Sequence, residues 1–467
     1  MPKPTSRKSG WQTSIWQTFL AGAIVAAVAV GGSSSALAAS GSWRGTTNAS
    51  WATTGNWSGA SPPTTGETAT FNGAGNGNTT IDLGTSGTVG TLLFDSANAA
   101  AYTIGSGAVG SQTLTTGNYR SLSVNSTVTN NQLFNANVVL GDSALASHFI
   151  TNASTSATLT LAGNVSGGTG GTAGVKTLFA GGAGNTTISG TIGRGGATSL
   201  ALNKTGAGTL TLSGSNTYNG ATTLNQGTIN LDFSAATAPA ANILSSSGGA
   251  LTFTGGTLRL TGKASTANSQ AVASTTVGSG NSSLVLNANS ATSLLLNLNA
   301  ISRSAGGTLD LSLPAGTASS TNGVRTTTTT SMNSVLATAN SNGIAYATVG
   351  GTDWAGLSGG NIVAMTTYQT GNANYTTNNN VDVANGDTPA SGITVNTLRF
   401  NGNNTLNLSG TNTVNTGGVR AGVEHHFDQF RALPGRRFLP PDRQGQHRQQ
   451  PDDVFRHGRG RRECRGA

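Results

Sequence analysis

Residues that could do acid–base chemistry are few and widely spaced in this 467-residue chain. The carboxylates before residue 424 are Glu67, Asp82, Asp95, Asp142, Asp232, Asp310, Asp353, Asp382 and Asp387. The one histidine in that stretch, His148, lies in Ala-Ser-His-Phe-Ile, which predicts a place at a strand edge. Glycoside hydrolysis needs two neighbouring carboxyl groups, and sparse His, Lys and Arg leave little for general acid–base catalysis. We therefore predict no catalytic residues.

Three glycine-rich segments resemble ligand-binding loops. Gly105-Ser-Gly-Ala-Val-Gly110 matches the dinucleotide fingerprint but lacks the strand-to-helix context that the fingerprint requires. Gly167-Gly-Thr-Gly-Gly-Thr172 and Gly181-Gly-Ala-Gly-Asn-Thr186 resemble calcium-binding nonapeptides but lack the ligating Asp. We interpret all three as structural turns, and predict no cofactor-binding and no metal-binding residues.

Three of the six tryptophans, Trp43, Trp51 and Trp57, fall close together among Gly, Asn and Ser. Large rings at one end of a repeat protein favour a terminal unit that covers the open core. A platform that stacks against sugars is the alternative. We favour the first interpretation, a head segment over residues 39–100.

The composition indicates many short strands joined by turns. Charged residues make up 8% of the chain and Gly fills 68 positions, whereas 35% of residues are hydrophobic. An ordinary domain has about 25% charged residues. Short Leu, Ile and Val runs between Gly and Asn are typical of strands.

The positive charge lies at the two ends. Of the net +9, Lys3, Arg7 and Lys8 open the chain, and residues 421–467 hold ten Arg against six acidic residues. The 410 residues between them hold eleven basic and nine acidic residues, with no basic stripe carrying aromatics, so we expect no nucleic-acid partner. The only cysteine, Cys464, lies in the tail, which excludes disulfides from the rest of the chain.

The N-terminus has the pattern of an export signal. A basic start is followed by an apolar run from Phe19 to Val30 and by Ala36-Leu-Ala38, a small-residue cleavage pattern. The run is too short to span a bilayer comfortably. We predict cleavage after Ala38 or Ala39 and engagement of the export machinery; an uncleaved anchor is the alternative.

A short phrase recurs along the chain at intervals of 51, 48, 51 and 97 residues. Its copies begin at Thr158, Thr209, Thr257, Thr308 and Thr405. A period near 50 fits two solenoid coils of about 20 to 29 residues each. On that basis residues 39–420 predict on the order of 15 to 19 coils.

The phrase also predicts which side chains face inward. Alternate side chains of a strand point to opposite faces, so in Thr209-Leu-Thr-Leu212 we expect Leu210 and Leu212 inside and the two threonines in solvent. Ser213-Gly214 then turns the corner, since glycine accepts backbone angles that other residues resist.

Residues 200–231 resemble the autotransporter-associated beta strand repeat, also called the passenger-associated transport repeat. The resemblance rests on Lys204, Gly206-x-Gly208-Thr-Leu-x-Leu, Gly214, Asn216-Thr-Tyr218, Gly220, Thr222 and Gly227-Thr-Ile. It implies an exported β-helical passenger, often displayed on the cell surface.

The chain changes character near residue 424. Residues 424–467 contain ten Arg and four His but no Ser, Thr, Asn, Ile or Lys. If the codons of Glu424 to Arg431 are read one nucleotide forward, the genetic code permits only Asn, Ser, Thr, Ile, Leu and Phe, the vocabulary of the preceding chain. We favour a frameshift; a genuine basic tail that binds nucleic acid or anionic glycan is the alternative.

The sequence as a whole predicts an all-β, right-handed parallel β-helix, or solenoid, of Gly/Ser/Thr/Asn-rich repeats. We expect a signal peptide (1–38), a Trp-containing head (39–100), solenoid repeats (101–423) and an anomalous tail (424–467). The expected function is structural or adhesive at the cell envelope or surface, with cell-surface glycans or envelope proteins as partners. A β-helical lyase or glycoside hydrolase is the alternative function, and β-sandwich modules are the alternative architecture.

Overall fold

The computed structural model describes residues 40–421 except 60, 118–120, 142–144, 169–173, 246–247, 333–334 and 338–342. The predicted signal peptide (1–38) and Arg-rich tail (424–467) therefore lie outside the described residues. The described chain is all-β, without α-helix, and its only helices are the short 3-10 turns Thr54–Asn56, Gly75–Gly77 and Asn372–Asn374. None of its helices is long and apolar enough to cross a membrane.

Most strands belong to coils that stack in parallel and present three faces. The first face is an eleven-stranded sheet. Its strands are Gly41–Ser42, Thr68–Phe71, Thr91–Phe94, Ser121–Val124, Leu145–Asn152, Val175–Gly181, Ser199–Lys204, Thr222–Leu224, Leu251–Phe253, Thr275–Val277 and Ile301–Arg303.

The other two faces are built in the same way. The second face has the parallel strands Thr80–Ile81, Thr103–Ile104, Gln132–Phe134, Leu159–Leu161, Thr186–Ile188, Thr209–Leu212, Thr228–Asp232, Gly256–Thr261, Gly280–Asn287, Gly307–Ser312 and Ala347–Val349. The third face has two parts: Gly87–Val89, Thr113–Thr116, Asn137–Leu140, Val165–Ser166 and Ile192–Gly193, and later Ala267–Ala271, Ser293–Asn297 and Gly323–Arg325.

This arrangement confirms the predicted β-solenoid, and its core follows the two-residue period of a strand. In Thr209–Leu212, Leu210 and Leu212 are buried and the two threonines are half-buried on the outer side. Leu210 pairs with Ile229, which pairs with Leu258, so inward apolar side chains form a continuous stack through successive coils. Burial of each such side chain stabilises the fold by about 1.5 to 3 kcal/mol.

The 50-residue period corresponds to two coils, as predicted. Leu159 pairs with Thr186 and Thr186 with Leu210, two ladder steps for one interval of 51 residues. The copy beginning at Thr308 lies two residues out of line, since Thr257 aligns through Ser283 with Asp310. A slip of two keeps every side chain on its own face.

The solenoid has fewer coils than the 15 to 19 predicted. The eleven strands of the first face define about ten turns. Single coils differ in length, from 20 residues between Leu202 and Thr222 to 30 between Leu92 and Leu122. The ladder from Leu92 to Leu122 also runs without a break across residue 100, where the head segment was expected to end. The parallel stack gives way to antiparallel strands well before residue 420, which accounts for the lower number.

Glycine permits close approach of neighbouring coils at the corners. A Cβ at Gly206 would lie 2.1 Å from the carbonyl oxygen of Gly182, and one at Gly214 would lie 2.3 Å from that of Gly190. Contacts between backbones at these distances admit no side chain, so the corner sequence is fixed by the coil stacking.

Antiparallel strands end the solenoid. They are Ser331–Met332, Val335–Leu336, Asp353–Ser358 and Asn361–Ala364. Strand Asp353–Ser358 pairs with the last strand of the second face and with Asn361–Ala364, which in turn pairs with Gly323–Arg325 of the third face. These strands therefore join two faces and cover their sheet edges, a common protection against unwanted strand pairing.

A small parallel sheet follows, with strands Asn380–Asp382, Thr394–Phe400 and Thr413–Ala421. It has its own apolar cluster around Val381, Val395, Leu398 and Phe400. The fifth copy of the repeat phrase, at Thr405, lies in the connection between the last two strands and not in the solenoid.

Candidate functional site

The glycine-rich segments are corners of the solenoid. Gly105 follows the strand Thr103–Ile104 with a φ of +98°, and a Cβ there would lie 2.6 Å from the backbone nitrogen of Ala136. Gly182 and Gly184 press equally closely on the carbonyl oxygens of Asn152 and Ser154 in the preceding coil. Of the segment 167–172, residues 169–172 lie outside the described residues.

The tryptophans belong to a buried aromatic cluster. Trp43, Trp51 and Trp57 are 2 to 5% exposed. Trp57 packs edge to face against both of the others, with ring centroids 5.1 and 4.7 Å apart, and all three rings reach Phe71. The indole nitrogens donate to the carbonyl oxygens of Asn78 and Trp51 at 2.9 and 2.8 Å. Rings packed in this way offer no open face to a sugar.

His148 lies within a strand rather than at its edge, contrary to the sequence prediction. The strand is long, Leu145–Asn152, and His148 occupies an inward position with 1% exposure. Neither of its ring nitrogens has a hydrogen-bond partner among the described residues. Burial, with a smaller contribution from the nearby Lys176 ammonium, lowers the pKa of His148 to about 4. The imidazole is therefore neutral at physiological pH.

Two lysines also point inward. Lys176 donates to the carbonyl oxygens of Leu140, at 3.0 Å, and of Gly141. Lys204 donates to the carbonyl oxygen of Gly206 in its own coil and more weakly, at 3.5 Å, to that of Gln226 in the next. Burial lowers the pKa of Lys204 to about 8. A buried charge needs such partners to be tolerated, and here they are carbonyls at the coil corners.

Asparagine side chains link neighbouring coils beside the third face. The Oδ1 of Asn137 accepts from the amide of Asn164 at 2.9 Å, and Asn164 accepts likewise from the next coil at 2.8 Å. Farther along, Asn216 accepts from the amide of Ile192 at 2.7 Å and donates to the carbonyl of Ile243 at 2.8 Å. Asn216 thereby continues the hydrogen bonding where the third face has no strand. The sequence predicted none of these links, because their partners are 24 to 27 residues distant.

Most of the scattered carboxylates stay apart, but two meet at the end of the solenoid. Arg399 contacts Asp353 and holds Asp382 at 2.5 Å. Its guanidinium lies 3.7 Å from the ring centroid of Tyr368, whose hydroxyl accepts from the amide of Trp354 at 2.9 Å. One cation thus neutralises two carboxylates and stacks on a ring, which is the arrangement of an ion-pair network.

A third carboxylate lies beside this network. Asp310 accepts from the hydroxyl of Thr348 at 2.6 Å and from the amide of Gly351 at 2.8 Å. It faces Arg420, whose pKa is lowered by burial and raised in opposition by this carboxylate. Among the described residues, no three His, Cys, Asp or Glu side chains are grouped to hold a metal ion.

Comparison with known proteins identifies one segment. Residues 202–231 match the model of the passenger-associated-transport-repeat family. The chain contains a passenger-associated transport repeat. This confirms the resemblance seen in the sequence, and the family implies an exported protein. No curated protein and no solved structure gives a significant match.

The repeat spans a stretch that crosses all three faces. Within the passenger-associated transport repeat, Lys204 and the glycines shape the corner between the first and second faces, and Thr209–Leu212 supplies the inward leucines. Asn216 bonds the coils before and after it. Tyr218, buried and hydrogen-bonded to Thr222 at 2.6 Å, fills the third corner. The conspicuous residues of the repeat therefore build coils and close corners.

Proposed function

We propose that the protein is an exported, passenger-like repeat protein with a structural or adhesive role at the cell envelope or surface. The observation that carries this proposal is the passenger-associated transport repeat seated in a parallel β-solenoid. The export pattern in residues 1–38 supports it. Glycans or other envelope proteins are the partners that such a role requires.

Cell fractionation tests export. The full chain, carrying an epitope tag in an outward corner, is expressed in a Gram-negative host beside a variant that lacks residues 1–38. We expect the full chain outside the cytoplasm, with a mature N-terminus at Ala39 or Ser40 by mass spectrometry, and the variant inside. Recovery of the uncleaved full chain in the cytoplasm would contradict the proposal.

Adhesion is tested separately with purified protein. Envelope preparations and intact cells are offered to immobilised full-length chain, and retention is compared with that on an unrelated β-solenoid. Retention above this control supports an adhesive role. Equal retention leaves the structural role, which predicts a measurable change in envelope integrity when the gene is deleted.

A further inference from the structure

The outer side of the first face is free of charge over its whole length. All described outward side chains of its eleven strands are uncharged, and the ionisable residues in these strands, His148, Lys176, Lys204 and Arg303, occupy inward positions. The second face differs, because Arg259 and Asp310 point outward there. Ten ladder steps of about 4.8 Å make the uncharged surface roughly 48 Å long.

One outward row of this face runs through ten consecutive coils. Its members are Thr or Ser except at three positions, Phe149, Phe179 and Asn203. The hydroxyls and amides interact along the row and with its neighbour: Asn225 donates to Asn203 at 2.5 Å, and Thr276 and Ser302 lie 3.0 Å apart. The face thus presents polar groups at the spacing of the coils.

An aromatic pair stands near the middle of this row. The rings of Phe149 and Phe179 stack with centroids 5.1 Å apart and an angle of 19° between their planes. Phe149 is 38% exposed, and Val175, on an adjacent outward row, is 49% exposed. Of the three large hydrophobic side chains found exposed in the described chain, two therefore lie on this one face.

We propose that the outer side of the first face binds an extended, neutral polysaccharide that lies along the coil axis. This inference rests on the adhesive function proposed above and names its ligand class and site. The C–H groups of pyranose rings pack against the aromatic pair, and sugar hydroxyls bond to the flanking Thr, Ser and Asn side chains. An extended pyranose chain repeats at nearly the coil spacing of about 4.8 Å, so successive sugars meet successive coils.

The charge pattern selects this ligand class. A polyanion such as nucleic acid or an acidic glycan is held by Lys and Arg, and the described outward positions of this face supply neither. Protein interfaces are enriched in Tyr, Trp, Met and Arg anchors, whereas this face is dominated by hydroxyls and amides. A neutral chain of hydroxyl groups suits such a surface.

Affinity electrophoresis of the full chain in gels containing hydroxyethylcellulose, mannan or alginate tests the proposal. We expect retardation by a neutral polymer and none by the anionic alginate. Phe149→Ser with Phe179→Ser should weaken that binding about tenfold or more, whereas Phe149→Tyr with Phe179→Tyr should preserve it. Val285→Ser, at an outward position of the second face, is the matched control and should bind as the unaltered chain does.

Three results would overturn the assignment: unchanged binding by the double serine variant, stronger retardation by alginate, or no retardation by any neutral polymer. Circular dichroism and protease resistance establish that each variant is folded. If the protein holds envelope preparations but no neutral polysaccharide, the adhesive function stands and this ligand assignment fails. Loss of both would contradict the adhesive role as well.

Discussion

The repeat-bearing coils and the small C-terminal sheet are both parallel β-structure, yet different interactions hold them. In the coils around residues 186–261, Leu210, Ile229 and Leu258 stack inside, and the outer threonines make no ion pairs. The C-terminal sheet has a smaller apolar cluster and is tied to the end of the solenoid by Arg399 and two carboxylates. A repeating structure draws its stability from identical neighbours, whereas a unique junction needs contacts specific to it.

The difference also explains why one region was readable from the sequence and the other was not. A strand period of two and a phrase interval near 50 are local signals, and they predicted which leucines are buried. The convergence of Asp353, Asp382 and Arg399 joins residues 17 and 46 positions apart, and no pattern marks it.

Reversal of the inward and outward positions breaks the first side of this comparison. Leu210→Asp buries a carboxylate and removes a core side chain, and should cost roughly 4 kcal/mol or more. Thr211→Asp lies on the outer side and should cost about 0.5 to 1 kcal/mol. Protease resistance near residue 210 in the full chain measures both. Equal damage from the two substitutions would mean that the strand is buried on both faces.

Removal of the junction cation tests the second side. Arg399→Ala leaves Asp353 and Asp382 without their shared partner, and because the three side chains are partly exposed we expect a local cost of about 2 kcal/mol. Amide hydrogen exchange should quicken in Asn380–Asp382 and Thr394–Phe400 but not in Thr209–Leu212. Arg259→Ala, at an exposed position of the second face, is the control. Faster exchange throughout the solenoid would show that the two regions unfold together.

Lys204 sharpens the comparison through pH. Its pKa is about 8 in the folded protein and about 10.5 when unfolded, so the unfolded state holds more protons between these values. Stability should therefore rise from pH 8 to 10.5 in the native chain relative to Lys204→Met, by on the order of 1 kcal/mol after solvent screening. The midpoint of chemical denaturation, measured across that range, gives the difference. A difference that falls with rising pH would show that the ammonium, and not the amine, is favoured in the fold.

The fold class was predictable because glycine corners, alternation and period agree with one another. The number of coils was not, since each coil takes 20 to 30 residues and the stack ends where antiparallel strands begin. His148 was misplaced because its strand extends to eight residues, longer than the short apolar run around it suggested. The asparagine links and the uncharged first face depend on the register between coils, which the sequence alone does not give.

Cross-linking across the ladder tests the central claim, that consecutive coils stack in parallel with a fixed register. Thr187 and Thr211 are outward partners in adjacent coils, whereas Thr160 and Thr211 are two coils apart. With Cys464→Ser as background, Thr187→Cys with Thr211→Cys should be joined by mild oxidation or a short thiol cross-linker, because adjacent strands lie about 4.8 Å apart. Thr160→Cys with Thr211→Cys should remain unlinked. Efficient linkage of the second pair, or of neither, would contradict the solenoid register.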